Sequence, residues 1–138
     1  MRILLLLLLA LVTSTIHAEK RGAAVNYMLN CQGCHLARGE GFVGRVPRMT
    51  DFVGYFLHSD DGRAFLIQVP GVAFSPLSDA DTTRLMNWML IEFSAAQLPE
   101  DFEPYTEAEV AALRQQPETD PNRRRAAILA KLDLASAQ

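Results

Sequence analysis

The stretch Cys31-Gln32-Gly33-Cys34-His35 decides how this sequence can fold and what it can bind. It holds both cysteines of the chain, three positions apart, and a histidine follows directly. Thiols at this spacing on one turn can form thioether bonds to the two vinyl groups of a porphyrin, and the next residue can donate an imidazole nitrogen to the iron. The pattern C-x-x-C-H is typical of c-type haem attachment. We therefore predict one covalent haem on Cys31 and Cys34, with His35 as an iron ligand.

Three other uses of these residues must be weighed against haem attachment. A thioredoxin-like C-x-x-C follows a strand, whereas residues 22–30 have a helical pattern. A structural zinc site needs about four ligands, and the sequence has no second C-x-x-C and no H-x-x-x-H pair. A simple disulfide, which is common in exported domains, leaves His35 without a role. Haem attachment is the interpretation that uses every residue of the motif.

The N-terminal segment has the features of an export signal. Arg2 precedes an unbroken apolar run over residues 3–12, and Ala18 stands before a charged stretch. The run is about half as long as the roughly 20 residues that a membrane-spanning helix requires. We therefore predict a signal peptide over residues 1–18 that is cleaved after about Ala18, a periplasmic protein and no transmembrane anchor.

Length and charge limit the classes of partner. The chain has 138 residues and a formal net charge of −3, and loss of residues 1–18 with their single charge, Arg2, would leave −4. A nucleic-acid-binding domain would carry a basic stripe, so no nucleic acid partner is predicted. The one basic cluster, residues 123–125, is predicted to be a solvated helix face. The length after cleavage suits one domain.

The hydrophobic pattern predicts an all-α protein. Short helices are predicted over residues 22–29, 52–57 and 63–68, and a longer helix follows the N-cap Ser78 and reaches about Phe93. No segment alternates clearly enough for a sheet. Residues 36–50, which contain three glycines, are predicted to form a loop. The candidates for the apolar wrapping of the haem are Leu29, Leu36, Val46, Met49, Phe52, Phe56, Leu66, Phe74, Leu77, Leu85 and Trp88.

A C-terminal extension, residues 99–138, adds two further helical patterns. Thr106 and Glu109 form a capping box, which predicts a helix over residues 107–115. The second pattern covers residues 123–134. We expect both helices to lie against the core, and a partner-docking appendage is the alternative.

The flanks of the C-x-x-C-H motif resemble the class I, single-haem cytochrome c family over about residues 22–93. Gly22 and Tyr27 precede Cys31 as the small and the aromatic residue of the family's first helix. Trp88 stands where the family's last helix carries the aromatic residue that packs at its crossing with the first. The resemblance implies a cytochrome c-like helical domain wrapped around one covalently attached haem. The predicted organisation is this domain over residues 19–98, followed by the extension over 99–138.

The resemblance also implies further haem contacts. The carbonyl of Pro47 would accept a hydrogen bond from the imidazole of His35 and so fix its orientation. Met49 would pack against the haem. Electron-transfer members usually place a methionine on the distal side, but the corresponding loop, residues 69–76, has neither Met nor His.

The sixth iron ligand is therefore an open choice. Met86 is the predicted second metal ligand, and His58 is equally supported, while Met49 and Met89 are further candidates. The last possibility is an open distal site lined by the apolar residues Val72, Ala73 and Phe74. Distal polarity and access decide between electron transfer and small-ligand binding.

The function implied by the resemblance is that of a periplasmic single-electron carrier. It would connect a dehydrogenase or cytochrome donor with an oxidase or reductase. Two alternatives remain: a haem-based binder of small ligands with an open distal site, and a haem subunit of a larger oxidoreductase docked through residues 99–138. The sequence shows no distal His-Arg pair for peroxide chemistry, and an enzyme is not predicted.

Overall fold

The computed structural model describes residues 22–134. The predicted signal peptide and its cleavage site at Ala18 lie outside the described residues. Over residues 22–134 all regular elements are helical, and the extended pairing is limited to one isolated bridge between Phe42 and Val46. The all-α prediction is confirmed. None of the helices in this part of the chain combines the length and the apolar character needed to cross a bilayer.

The helices follow the sequence prediction with small changes at their ends. They are α1 over residues 22–30, α2 Gln32–His35, α3 Asp60–Gln68, α4 Pro70–Ala73, α5 Asp79–Ser94, α6 Glu107–Arg114 and α7 Pro121–Lys131, with 3₁₀ helices at Val53–His58 and Ala95–Gln97. The first residues of α3, α5, α6 and α7 are set by side-chain caps, since Ser59, Ser78, Thr106 and Asp120 each accept a backbone N–H. α7 begins earlier than predicted because Pro121 suits the first helical position.

Helix α1 packs on α5 through aromatic rings. The ring of Tyr27 lies 5.8 Å from that of Trp88 and 5.0 Å from that of Phe93. The small residue on the buried face of α1 is Ala23, which is 3 % exposed. Gly22 is exposed, and a Cβ added there would meet no atom within 4 Å. Contrary to expectation, Gly22 is therefore not the small residue at the packed face of α1. Ala23 takes this position, because it lies four residues before Tyr27 on the same face of the helix.

The C-terminal extension belongs to the same hydrophobic core as α1. Leu90 of α5, Val110 of α6 and Ile128 and Leu129 of α7 are almost completely buried in one cluster with Tyr27. Helices α6 and α7 therefore lie against the core, as expected. Residue 98, the predicted end of the first domain, does not divide the core.

The predicted apolar residues separate into three groups. Met49, Phe52, Phe56, Leu66 and Leu85 are buried, and Leu36, Val46, Leu77 and Trp88 are partly buried. Leu29 and Phe74 are 75 % and 71 % exposed and lie outside the core of residues 22–134. Leu29 lies about 200° around α1 from Tyr27, so the burial of Tyr27 turns Leu29 outward.

The basic cluster at residues 123–125 is not a uniformly solvated face. Arg123 is solvated, with a side chain that is 85 % exposed. Arg124 instead pairs with Asp61 at 2.8 Å and Glu118 at 3.1 Å, and it joins α7 to α3. Arg125 is partly buried against aromatic rings. The prediction for this cluster is therefore wrong for two of its three residues.

Candidate functional site

The attachment turn, residues 31–35, brings the two thiols and the histidine together. The N–H of Cys31 donates to the carbonyl of Tyr27 at 2.9 Å, so the turn continues directly from α1. The N–H groups of Cys34 and His35 donate to the carbonyl of Cys31 at 3.1 and 2.9 Å. Residues three and four apart on a helix lie on one side of it. This local geometry follows from the helical pattern of the sequence.

The cysteine environment does not match a redox dithiol. Both cysteines are free thiols. Cys31 packs against the core, and burial raises the pKa of its thiol, whereas reactive dithiols have a lowered thiol pKa. The segment before Cys31 is helix α1 and not the strand that a thioredoxin-like motif requires.

A structural zinc centre is also disfavoured by the donor set. Residues 22–134 contain no group of three or more His, Cys, Asp or Glu side chains arranged to hold a metal ion. A structural zinc site needs about four such donors. A haem iron needs only one or two from the protein, because the porphyrin supplies the others.

One ring nitrogen of His35, Nδ1, is buried without a hydrogen-bond partner among residues 22–134. Burial lowers the pKa of His35, and the nearby carbonyl of Pro47 opposes this with a smaller effect. A buried polar group without a partner costs about 1–3 kcal/mol. The site thus presents a neutral imidazole beside Pro47, the residue expected to orient it, and this fits an iron ligand.

The chain reverses immediately after His35 in a strained conformation. Leu36 has φ 64° and ψ 176°, a region that is essentially restricted to glycine. The hydroxyl of Tyr27 donates to the carbonyl of Leu36 at 2.6 Å and holds this reversal. Burial raises the pKa of Tyr27 to about 12, so the phenol stays a donor at neutral pH. Strain of about 1–3 kcal/mol is therefore retained next to the attachment turn.

The proximal loop, residues 36–50, is ordered by backbone contacts. The N–H of Met49 donates to the carbonyl of Gly39 at 2.7 Å, and Phe42 pairs with Val46. Gly41 has φ +64°, and a Cβ there would clash with the carbonyl oxygen of Val46. Only glycine fits this position, and the loop can therefore fold back toward the attachment turn.

Two neighbouring cavities lie along this loop. The smaller, of about 270 Å³, is lined by Gly33, Cys34, Phe42, Arg45 and Val46. The larger, of about 510 Å³, is lined by Glu40, Phe42, Val43, Gly44, Arg45, Val46, Pro47, Arg48, Phe52, Asn122, Arg125 and Ala126. They share the walls formed by Phe42, Arg45 and Val46. Cofactor pockets usually measure about 300–1,000 Å³. The position of Cys34 suits one edge of a covalently attached haem, whereas Cys31 and His35 line neither cavity.

The candidates for the sixth ligand lie elsewhere in the fold. Met86 and Met89 are buried in the core on α5, and Met49 is buried against Gly39. His58 is engaged at the surface, where its Nε2 lies 3.0 Å from the carbonyl oxygen of Gln97. None of these four residues lines either cavity. The second metal ligand, Met86 included, stays a prediction.

The distal loop, residues 69–76, is fastened to α6. It contains the short helix α4, and its three expected lining residues differ in exposure: Val72 is partly buried, Ala73 buried and Phe74 exposed. Arg114 donates to the carbonyls of Ser75 at 2.7 Å and Leu77 at 3.0 Å and pairs with Asp79 at 2.6 Å. These contacts hold the loop without bringing it to the two cavities.

The arginines of the larger cavity were not identified from the sequence. Arg45 and Arg48 lie in the proximal loop, whereas Arg125 lies on α7. No spacing rule relates residues so far apart in the chain. The sequence contains only a weak indication that Arg125 lines a cavity, namely its position on a helix whose other face is apolar.

Comparison with known proteins gives no match for this chain. No protein-family model, no curated protein and no solved structure matches it. A proposal for its function rests on the attachment turn and the residues around it.

Proposed function

We propose that this chain is a periplasmic c-type cytochrome that carries one haem and transfers single electrons. Cys31 and Cys34 would hold the haem through thioether bonds, and His35 would bind its iron. The observation that best supports the proposal is the attachment turn: two free thiols and a neutral, unsatisfied imidazole share one turn beside a cleft. A bound haem supplies reversible one-electron chemistry at its iron.

The residues around the turn would tune that chemistry. The Pro47 carbonyl lies near His35, and a hydrogen bond to it would fix the orientation of the imidazole and raise its donor strength. The hydroxyl of Tyr27 fixes the backbone at Leu36, the residue that follows His35. Met49 is a buried residue of the proximal loop, and its side chain packs beside Gly39. Each of these contacts favours a rigid site, which suits fast electron exchange.

An electron carrier needs an accessible edge and a weakly binding surface. Cys34 is exposed, and so are Phe42 and Val43 in the neighbouring part of the proximal loop. Transient redox partners often bury less than about 1,200 Å² in total. The proposed partners are a dehydrogenase or cytochrome donor and an oxidase or reductase acceptor.

One observation favours a second function, a haem-based binder of small ligands. The loop where the resembled family usually carries its distal methionine, residues 69–76, contains neither Met nor His. An iron with one open position binds CO or NO more readily than a six-coordinate iron does. The third possibility is a haem subunit docked through residues 99–138. This segment offers less apolar surface for docking, because Val110, Ile128 and Leu129 are buried in the chain's own core.

Haem attachment can be tested on the full-length chain produced with a cytochrome c maturation system. We expect a mass increased by one haem and a Soret band. The double variant Cys31→Ala/Cys34→Ala should lose the covalent mass, whereas His58→Ala should retain it as a matched surface control. A wild-type protein with the polypeptide mass and no Soret band would overturn the proposal.

The two haem functions can be separated by spectroscopy of the same holoprotein. A carrier with a methionine ligand should show the weak far-red charge-transfer band of iron–sulfur bonding, and this band should vanish in Met86→Leu but persist in Met89→Leu. An open site should give a high-spin spectrum and bind CO rapidly without competition from the protein. His58→Ala distinguishes histidine ligation, since it would then convert a low-spin spectrum to a high-spin one.

A further inference from the structure

The backbone after the attachment turn reverses at a residue that is poorly suited to the conformation. Leu36 has φ 64° and ψ 176°, a combination that only glycine adopts readily. Its N–H still donates to the carbonyl of Gln32 at 2.9 Å, so the turn before it stays helical. The two angles at Leu36 therefore set the direction in which the proximal loop leaves the attachment turn. A leucine without other constraints would relax from these angles and turn the loop away from His35.

Two hydrogen bonds hold this reversal. The hydroxyl of Tyr27, whose side chain is buried in the core, donates to the carbonyl of Leu36 at 2.6 Å. The N–H of Gly41 donates to the carbonyl of His35 at 3.1 Å. The first bond fixes the peptide group that follows Leu36, and the second fixes the peptide group that precedes it. The strained residue is therefore restrained on both sides.

Gly41 also lies against the carbonyl of Pro47. It has φ +64°, and a Cβ built on it would lie 2.8 Å from the oxygen of that carbonyl. The missing side chain thus allows the two backbone segments to approach each other. Because the N–H of Gly41 is bonded to His35, this approach brings Pro47 to the histidine. Gly44 has a similar φ of +72°, but a Cβ there would meet no atom within 4 Å.

The imidazole of His35 is the group that this arrangement serves. Its Nδ1 is buried and has no hydrogen-bond partner among residues 22–134. The carbonyl of Pro47 lies near the ring. A ring N–H that donates to this carbonyl would be satisfied, and the other ring nitrogen would be left for the iron. A small displacement of Pro47 therefore decides whether the imidazole is oriented.

We infer that Tyr27 and Gly41 are positioning residues for the haem ligand His35. They hold the reversal at Leu36 and thereby keep the carbonyl of Pro47 beside the imidazole. This inference rests on the proposed function, in which His35 binds the haem iron. Neither residue supplies a ligand to the iron, and both act through the backbone. A hydrogen-bonded imidazole is a stronger donor, which favours ferric iron and lowers the midpoint reduction potential.

The test uses haem-loaded protein and two matched pairs of variants. Tyr27→Phe removes the hydroxyl and keeps the ring, and its control is Tyr55→Phe, since the Tyr55 hydroxyl has no hydrogen-bond partner in the described part of the chain. Gly41→Ala places a methyl group against Pro47, and its control is Gly44→Ala, which also strains a positive φ but meets open space. Far-UV circular dichroism verifies the fold of each variant.

Two readouts separate a positioning role from a purely structural one. The first is the midpoint reduction potential. The second is the rate at which the ring N–H of His35 exchanges with deuterated water, followed by NMR in the ferrous CO adduct, where the iron is diamagnetic and CO replaces any distal ligand. A hydrogen bond to a carbonyl slows this exchange. A loss of stability that leaves Pro47 in place should leave both readouts near their wild-type values.

We expect Tyr27→Phe and Gly41→Ala each to raise the midpoint potential relative to their controls, because a less strongly hydrogen-bonded imidazole is a poorer donor. The ring N–H should exchange about fivefold faster, as expected for loss of one ordinary hydrogen bond. Adding Leu36→Gly to Tyr27→Phe should return both readouts toward wild type, because glycine adopts the reversal without strain. A general loss of core packing would not be repaired in this way.

The failures of the two proposals are distinguishable. Haem-loaded Tyr27→Phe and Gly41→Ala that match their controls in both readouts would overturn the positioning role and leave the cytochrome proposal standing. A wild-type chain that attaches no haem would overturn both. If Tyr27→Phe attaches no haem, the double variant with Leu36→Gly takes its place. Recovered attachment in the double variant would support the positioning role, and continued failure would overturn it.

Discussion

At the scale of single residues, Tyr27 connects the core to the attachment turn. Its ring packs between Trp88 and Phe93, and its hydroxyl reaches the strained carbonyl of Leu36. The aromatic position was predicted from the sequence through its spacing from Cys31. The hydrogen bond was not, because its acceptor depends on a positive φ at Leu36 that no residue preference indicates.

The change Tyr27→Phe should keep the ring contacts and remove this hydrogen bond. We expect a loss of about 1 kcal/mol in the free energy of unfolding, measured by urea denaturation. Tyr55→Phe is the matched control, since the Tyr55 hydroxyl has no hydrogen-bond partner among residues 22–134. Equal effects of the two substitutions would contradict a specific role for the Tyr27 hydroxyl.

At the scale of helices and loops, α6 organises two neighbours through arginine contacts. Arg114, in the last turn of α6, donates hydrogen bonds to the distal loop. Glu109, in the first turn of α6, accepts hydrogen bonds from Nε and Nη2 of Arg63 on α3, at 2.6 and 2.8 Å. The capping box predicted the start of this helix. The partners of its charged side chains could not be predicted, because they lie 35 to 46 residues away in the chain.

Substitution of Arg114 should loosen the distal loop. Arg114→Gln removes an ion pair with Asp79 and hydrogen bonds to two or more carbonyls, so we expect a loss of about 1.5–3 kcal/mol in unfolding free energy. Hydrogen exchange over residues 73–79 should accelerate. Arg84→Gln, which breaks an exposed pair with Asp81, should change stability by less than about 0.5 kcal/mol. Unchanged exchange in Arg114→Gln would exclude the fastening role.

The pair between Glu109 and Arg63 should make stability pH-dependent. Hydrogen bonds from Arg63 lower the pKa of Glu109 in the folded state. Its contribution is therefore complete above the ordinary carboxyl pKa of about 4.3 and is lost as the pH falls through the lowered value. Glu109→Gln should cost about 1 kcal/mol at pH 7, and the difference from wild type should shrink in acid.

The control for this pH dependence is Glu107→Gln in the same helical turn. Glu107 is exposed, and its substitution should alter stability little at any pH. Parallel pH profiles for wild type and Glu109→Gln would show that Glu109 does not titrate with folding.

At the scale of the whole molecule, one core spans the chain from α1 to α7. The alternation of helical patterns and caps allowed the helices and the all-α class to be predicted, and the C-x-x-C-H motif predicted the attachment turn. The cleft between the proximal loop and α7 could not be predicted, since it depends on how Arg125 and Phe52 meet across 73 positions of sequence. Spacing rules describe neighbours along a helix, not contacts between helices.

The contribution of α7 to the core can be measured with Leu129. This side chain is 0 % exposed, so Leu129→Ala should destabilise the protein by about 2–5 kcal/mol in thermal or chemical unfolding. Lys131→Ala on the same helix, with a side chain 74 % exposed, should change stability by less than about 0.5 kcal/mol. A small effect of Leu129→Ala would mean that the packing of α7 contributes little to the free energy of unfolding.

The burial of Ile128 and Leu129 near the end of the chain also affects how the protein matures. Until α7 has been synthesised, the hydrophobic centre lacks two of its most enclosed side chains, so a partly made chain cannot finish folding. Residues 31–35 emerge from the ribosome well before this point. Under the proposed export, such late closure would keep the polypeptide unfolded during translocation and would leave the two thiols accessible for haem attachment.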